Sequence, residues 1–170
     1  MFTTSLYLSY VVDCGGEWRK MPAFTGKYYY TVDPKGRIII PSPLRKIIFD
    51  HYNTKLFAAN ALFDRCLHIY PQEEWSRLEE KVRMLPKMDK DIKLFNRRVI
   101  ASATECEIDT QGRILVPAAL REDAGINGDI VIVGQLEKIE LWNKKEWDAV
   151  TDLSAVDQAA VEEKLAGYGL

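Results

Sequence analysis

Two arginines, Arg37 and Arg113, each end the same five-residue pattern, Asp-x-x-Gly-Arg. Asp33 opens the first copy of the pattern and Asp109 opens the second. A guanidinium group holds its N–H donors in one plane, and it can bind two phosphate oxygens, or the two major-groove acceptors of guanine, at once. Such a group, projecting near a hairpin tip, could contact an anion. For a single copy of the pattern we favour a simpler interpretation, in which the Asp and the Arg only pair with one another across the turn.

Both patterns predict a tight turn that closes a hairpin. An Asp at the first position, Pro34 at the second position of the first copy, and a glycine at the fourth position suit a type I turn that ends in a left-handed residue. Gly36 and Gly112 are those glycines, and Lys35 and Gln111 lie at the tips of the two turns. The arginines begin the returning strands. The Asp and Gly residues are thus expected to fix the loop that presents each arginine.

Patterns typical of enzymes and metal sites are absent from the sequence. His51 and His68 are the only histidines, and neither has a histidine at the matching place in the other half of the chain. Cys66 and His68 lie two apart on a predicted strand, where side chains point in parallel from backbones about 6–7 Å apart, so they predict a packed strand face rather than a nucleophilic pair. Phosphate-binding, dinucleotide-binding and nucleophile-elbow motifs are also missing. We therefore predict no cofactor, no metal and no enzyme activity.

The chain contains an internal repeat. Residues 33–45 match residues 109–121 at a shift of 76, and residues 67–75 match 139–147 at a shift of 72. Two matching blocks in the same order indicate duplication. Each copy has roughly 50–60 residues, which is near the lower limit for independent folding, so we expect the two units to share a core.

Each unit is predicted to contain a hairpin, a short helix and a second hairpin. Residues 28–32 and 37–40 are aromatic and β-branched, which favours strands on both sides of the first turn. Ser42 is the predicted N-cap of a helix that runs to about Phe49, and the matching helix should stop at Gly125. Further strands are predicted at residues 55–59, 66–70, 130–133 and 139–142.

A helix is predicted after each unit. Trp75 begins a run of apolar residues at helical spacing, and Asn143 with Glu146 has the form of a capping box. Trp75 and Trp147 are expected to anchor the core. Residues 89–101 place apolar side chains on one helical face and basic ones on another. The tail, residues 151–170, is compatible with a marginal helix or with a frayed chain.

The composition is that of a globular protein without a membrane partner. Of the 170 residues, 47% are hydrophobic and 28% are charged, and no run reaches the ~20 apolar residues that span a bilayer. The cysteines are Cys14, Cys66 and Cys106, an odd number without a C-x-x-C pair. They predict a reducing cytoplasm rather than a disulfide framework or a zinc knuckle.

The net charge of −2 argues against a generally basic nucleic-acid-binding protein. Neutralisation of phosphates is the main source of non-specific affinity for DNA. Binding to DNA would therefore require positive charge that is concentrated locally, or several copies of a small basic patch on one duplex.

With the repeat established, the motif Asp-x-x-Gly-Arg-x-x-x-Pro, present twice and followed each time by a short helix, resembles the AbrB-like swapped-hairpin DNA-binding domains. Two copies in one chain, with Phe24-Thr25-Gly26 before the first, resemble the MraZ family. The resemblance runs from about Phe24 to Trp147, and it includes the segments 67–75 and 105–109.

This resemblance implies an α+β, mainly β fold in which two tandem swapped-hairpin units form a pseudo-dimer within the chain. It also implies a cytoplasmic, nucleoid-associated regulator that assembles into a closed ring and binds short direct repeats of double-stranded DNA upstream of the division and cell-wall gene cluster, including its own promoter. Arg37 and Arg113 match the DNA-contacting arginines. Lys35 matches a basic tip position, whereas Gln111 is neutral, so the two units are not expected to contribute equally.

The expected organisation is an N-terminal extension (1–22), a first unit with its helix (23–88), a linking helix with the second unit (89–150) and the tail (151–170). Members of the family begin close to the Phe-x-Gly motif, which makes Met21 a candidate native start. Two other functions stay open from the sequence. One is an oligomeric scaffold or interaction protein without sequence-specific DNA binding, and the other is an enzyme of unfamiliar type.

Overall fold

The computed structural model describes residues 10–12, 18–20 and 22–170. Met21, the candidate start, and Cys14 lie outside the described residues. The strands are β1 (Tyr10–Val12), β2 (Trp18–Lys20), β3 (Lys27–Thr31), β4 (Arg37–Ile39), β5 (Lys55–Asn60), β6 (Cys66–Pro71), β7 (Thr104–Glu107), β8 (Arg113–Leu115), β9 (Asp129–Gln135) and β10 (Lys138–Asn143). The helices are α1 (Ser42–His51), α2 (Gln72–Arg83), α3 (Lys90–Arg98), α4 (Ala118–Ala124), α5 (Lys144–Val150) and α6 (Gln158–Gly167), with short 3-10 turns at Ile100–Ser102 and Leu153–Ala155.

The largest sheet interleaves strands from the two units in the order β3-β9-β10-β6-β5-β7. All neighbouring strands in it are antiparallel. The repeat makes β3 equivalent to β7, β5 to β9 and β6 to β10, so the order reads the same from either edge. The first strand of each unit therefore pairs with the β-hairpin of the other unit. This arrangement confirms a pseudo-dimer within one chain and a core that both units share.

The strands that flank each tight turn part from one another after the turn. They were predicted to pair as a hairpin, and this detail is wrong: β3 joins β9 in the large sheet, whereas β4 pairs with β8 of the other unit. Between the two flanking strands the backbone N–H of Asp33 still donates to the carbonyl of Arg37, at 3.1 Å. The exchange completely buries Ile38 and Ile114, which face one another across β4 and β8. A two-stranded hairpin by itself offers too few neighbouring side chains to bury such residues.

The helices begin and end close to the predicted places. Ser42 is the first residue of α1 and not its cap, since Pro41 precedes the helix in an extended conformation, and the helix continues to His51. The matching helix α4 ends at Gly125, which has the predicted left-handed conformation with φ of +64°. Asn143 caps α5 by accepting from the backbone N–H of Lys145.

The core lies against the large sheet and under β4 and β8. Its largest cluster combines side chains of both units, including Phe24, Ile38, Ile48, Ile114 and Ile132. Trp75 is 2% exposed and stacks on Phe57, which confirms its role as a core anchor. Trp147 is partly buried against Trp142. The tail contains the helix α6, whose residues are exposed.

Candidate nucleic-acid interface

The first turn is organised by the carboxylate of Asp33. Its Oδ1 accepts hydrogen bonds from the backbone N–H groups of Lys35 and Arg37, both at 2.8 Å, and its Oδ2 accepts from Nε of Arg37 at 2.5 Å. Gly36 donates its N–H to the Asp33 carbonyl at 2.9 Å and has φ of +80°, the left-handed region that favours glycine. One carboxylate thus fixes both the turn and the side chain that follows it.

The second turn repeats this geometry. Oδ1 of Asp109 accepts from the backbone N–H groups of Gln111 and Arg113, both at 2.9 Å. Its Oδ2 lies 2.9 Å from Nε and 2.8 Å from Nη2 of Arg113. Gly112 has φ of +77° and donates to the Asp109 carbonyl at 2.9 Å. The two turns therefore have equivalent hydrogen bonds and equivalent left-handed glycines.

The pKa values of the two turn carboxyls reflect these bonds. The backbone hydrogen bond from Arg37 is the main cause that lowers the pKa of Asp33 below its usual value of 3.8, and partial burial opposes it. For Asp109 the side-chain hydrogen bond from Arg113 is the main cause of a lowered pKa. Both carboxyls are therefore ionised at neutral pH, and each Asp–Arg pair is an ion pair.

The strands β4 and β8 form a two-stranded antiparallel ribbon between the two turns. Arg37 lies opposite Leu115, and Ile39 lies opposite Arg113. The ribbon is extended at both ends, where each turn glycine accepts through its carbonyl a hydrogen bond from the other unit: Ile40 to Gly112 at 3.0 Å, and Val116 to Gly36 at 3.2 Å. Each turn is therefore attached to the partner unit's strand.

Alternation along the ribbon gives it one buried and one outward face. The outward face carries both predicted arginines at diagonal positions, where residues are typically about 7–8 Å apart and their Cβ atoms somewhat closer. The side chains of Arg37 and Arg113 are 33% and 22% exposed. Lys35 and Gln111 are exposed at the two turn tips. The structure therefore brings the four predicted contact residues to the outward face of one ribbon and to the tips of its turns.

Two further arginines lie beside the turns. A Cβ built on Gly36 would lie 2.6 Å from Nε of Arg121, and one built on Gly112 would overlap the guanidinium group of Arg45. Each arginine comes from the short helix of the unit that does not contain the turn. The turn motif does not include these two arginines, although they occupy equivalent final positions of the matched segments 33–45 and 109–121.

The local charge around the ribbon differs in sign from the net charge of the chain. The cationic side chains on or beside the ribbon and its turns are Lys35, Arg37, Arg45, Arg113 and Arg121, and the carboxylates among them are Asp33 and Asp109. Positive charge thus exceeds negative charge on this surface. The net charge of −2 therefore does not prevent this surface from contacting a polyanion.

The remaining reactive residue types are used in packing. Burial is the main cause that raises the pKa of the Cys66 thiol far above its usual value, so the thiol stays protonated and is a poor nucleophile. The imidazole of His68 contacts the side chains of Tyr70 and Glu140. Among residues 22–170 the structure shows no cluster of three or more potential metal ligands. Within the described residues, none of the helices has the length and apolar character needed to cross a bilayer.

Comparison with known proteins decides the family. The model of the family described as "MraZ protein, putative antitoxin-like" matches the chain twice, at residues 23–98 and 99–167. The chain belongs to the MraZ family. The two matches agree with the duplication seen in the sequence and with the paired units of the fold.

Named relatives cover most of this MraZ-family chain. The transcriptional regulator MraZ of Heliobacterium modesticaldum is 42% identical over 147 residues, which are 86% of this chain and 99% of the relative. The protein of the same name from Acetivibrio thermocellus is 41% identical over 147 residues, with the same coverage. That of Lachnoclostridium phytofermentans is 43% identical over 126 residues, 74% of this chain and 85% of the relative. The family is one of regulators, a non-enzymatic role.

Proposed function

We propose that this chain is a DNA-binding transcriptional regulator that contacts double-stranded promoter DNA through Arg37 and Arg113. The observation that carries the proposal is the ribbon of β4 and β8, which holds both arginines on one outward face between two equivalent turns. The relatives named as transcriptional regulators support the same role.

The dimensions and chemistry of the ribbon suit the major groove of DNA. The groove is about 12 Å wide and admits a two-stranded β-ribbon. Asp33 holds Nε of Arg37, and Asp109 holds Nε and Nη2 of Arg113, which leaves the other terminal guanidinium N–H groups to donate to guanine or to phosphate. The Asp residues therefore act as positioning residues, and the arginines as contact residues. Lys35 at its turn tip is placed to approach the DNA backbone.

Repetition of the ribbon in an assembly would provide the affinity that one copy lacks. In a closed ring, several ribbons meet one duplex, and linked weak contacts raise the overall affinity ~100- to 10,000-fold when the geometry allows them to bind together. Exposed apolar side chains after α2, such as Met84 (88% exposed) and Met88 (81% exposed), support contacts between copies. We therefore propose a ring-like homo-oligomer whose successive ribbons match short direct repeats.

We propose that those repeats lie upstream of the division and cell-wall gene cluster, including the promoter of the chain's own gene, a location that the resemblance to MraZ proteins supports. Such a regulator acts in the cytoplasm, in association with the nucleoid. The boundaries 1–22, 23–88, 89–150 and 151–170 remain the domain organisation we propose, with the two regulatory units in the middle segments.

The test is a gel-shift measurement with the upstream DNA of the chain's own gene at fixed salt. Arg37→Ala and Arg113→Ala should each weaken binding, by roughly 5- to 150-fold if the arginine reads a guanine. Arg65→Ala is the matched control, because Arg65 is also ion-paired, to Glu146, but lies outside both turns. Native mass and circular dichroism should show that each variant keeps its assembly and its fold. Unchanged affinity of the Arg37→Ala Arg113→Ala variant would refute the contact assignment.

Salt dependence separates this proposal from an oligomeric scaffold. When phosphates are contacted, the logarithm of the binding constant falls linearly with the logarithm of the salt concentration, because counterions are released. A scaffold without a DNA role would show no specific binding whose strength follows this law.

A further inference from the structure

Two large apolar side chains, Ile39 and Leu115, lie exposed on the outward face of the ribbon. They are 42% and 59% exposed, whereas their neighbours Ile38 and Ile114 are completely buried. Ile39 and Leu115 occupy equivalent positions of the repeat. Single exposed apolar residues are common on proteins, but here both units present one at the same position of the same surface.

The register of the ribbon places each apolar side chain directly beside an arginine. Ile39 lies opposite Arg113, and Leu115 lies opposite Arg37. Directly opposite residues of an antiparallel pair have Cβ atoms about 4.5–5.5 Å apart. The outward face is thus a compact patch in which cationic and apolar side chains occupy alternate corners.

The chemistry of this patch matches the edges of base pairs in the major groove. Guanine offers two acceptors there, which suit a guanidinium group, and thymine offers its C5-methyl group, which suits an apolar side chain. A bare protein surface or a lipid headgroup region would not require the two types to alternate. The arginines on the same face make a polyanion the complementary occupant.

We propose that Ile39 and Leu115 are specificity-determining residues that contact the C5-methyl groups of thymines. This inference rests on the proposed DNA-binding function and deepens it. Successive bases on one strand are about 3.4 Å apart, so the spacing between opposite residues corresponds to one or two base steps. The preferred site should therefore carry a thymine within one or two base pairs of each guanine bound by Arg37 or Arg113.

The experiment compares duplexes that differ only in methyl groups. The upstream DNA of the chain's own gene is prepared with thymine or with uracil throughout the binding site, and the binding constants are measured at one salt concentration. The wild-type protein should bind the uracil duplex about 3- to 5-fold more weakly for each methyl group it contacts. The Ile39→Ala Leu115→Ala variant should bind the thymine duplex more weakly than the wild type and should not distinguish the two duplexes. Ile39→Val, a conservative change, should retain most of the discrimination.

Each outcome bears on the inference. Equal binding of both duplexes by the wild type would overturn it while leaving the DNA-binding function intact. A variant that loses affinity but keeps the wild-type preference for thymine would also overturn it, because the side chains would then act on the DNA backbone or on another copy of the chain. Absence of any wild-type binding would overturn the proposed function and this inference together. Native mass of the variant shows that the assembly itself is unchanged.

Discussion

The guanidinium group of Arg121 lies against the backbone of Gly36, although the two residues belong to different units of the repeat. A side chain at Gly36 would have its Cβ 2.6 Å from Nε of Arg121. Arg121 also donates from Nε to the carbonyl of Val116, at 3.1 Å, and so remains attached to its own unit. The contact joins the helix of one unit to the turn of the other, directly beside the arginine proposed to contact DNA.

Gly36→Ala should therefore reduce both stability and DNA binding. The left-handed backbone alone costs roughly 1–2 kcal/mol for a residue with a Cβ, and the new methyl group would displace Arg121. Thermal unfolding and gel-shift assays measure the two effects.

Two further variants separate the backbone cost from the displacement. Gly128 also has positive φ, but a Cβ there would meet nothing within 4 Å, so Gly128→Ala should lower stability without affecting DNA binding. In an Arg121→Ala background, Gly36→Ala should lower the stability only as much as Gly128→Ala does. Equal costs of Gly36→Ala in both backgrounds would contradict a role for the Arg121 contact.

The turn carboxylates should make stability depend on pH in the acid range. Because Asp33 and Asp109 have lowered pKa values in the folded protein, the stabilisation they provide is fully present above 3.8 and is lost as the pH falls through the folded pKa values. Asp33→Asn Asp109→Asn should be slightly less stable than the wild type at pH 7, and the difference should shrink below pH 3.8. The effect is small because both pairs remain partly accessible to water, which screens them. Thermal unfolding over pH 2–7 measures it, and a difference that grows on acidification would contradict it.

Much of the local structure could be predicted from the sequence, because it depends on neighbours in the chain. The two turns follow from Asp and Gly at fixed positions, and α4 ends at Gly125 because a left-handed residue is needed there. The exchange of partners between β3 and β4 could not be read from these signals. It depends on the burial of Ile38 against Ile114, which lie 76 residues apart in the chain.

The positions of Arg45 and Arg121 illustrate what was visible and what was not. Their equivalence in the repeat marks them, but the sequence does not show that each reaches across to the turn of the other unit. His68 and Glu140 are also equivalent residues of the repeat, at a shift of 72, and the sequence alone does not show that they meet. They lie opposite one another because β6 and β10 meet at the centre of the pseudo-symmetric sheet.

Glu140 should stabilise the junction between the two units in a pH-dependent way. Burial acts to raise its pKa, but hydrogen bonds from His68 and Trp142 and the charge of Lys138 outweigh burial and lower the pKa from 4.5 to about 2. The stabilisation is therefore present above pH 4.5 and is lost as the pH falls toward 2.

Glu140→Gln should lose much of this stabilisation at pH 7 and approach the wild type near pH 2–3. Urea unfolding at both pH values measures the difference. Glu137→Gln, a change in the exposed turn between β9 and β10, is the control and should have little effect. A constant difference between wild type and Glu140→Gln across this range would show that the carboxylate charge is not what stabilises the junction.

Gly134 should tolerate no side chain, because the segment before β3 crosses directly over it. A Cβ at Gly134 would overlap the backbone of Phe24 and Thr25, and the N–H of Gly134 donates to the carbonyl of Gly26 at 2.9 Å. Backbone cannot move aside as a flexible side chain can, so Gly134→Ala should cost about 1–3 kcal/mol of stability. Gly167→Ala, at the end of α6 where a Cβ meets nothing within 4 Å, should be neutral or slightly stabilising. Chemical denaturation of both variants distinguishes these signs, and equal stability of the two would show that the backbone of Phe24 and Thr25 does not exclude a side chain at Gly134.

The difference between the two turn tips should be visible in the salt dependence of DNA binding. Lys35 is a cation at the tip of the first turn, whereas Gln111 is neutral at the tip of the second. If Lys35 contacts a phosphate, Lys35→Gln should reduce the magnitude of the slope of log binding constant against log salt by about 0.9 for each chain that makes this contact, and Gln111→Lys should increase it by the same amount. The double variant Lys35→Gln Gln111→Lys keeps the total charge and only moves it between the units. It should recover the wild-type slope if both turns approach the duplex equally, and a lower slope would show that the first unit carries most of the phosphate contact.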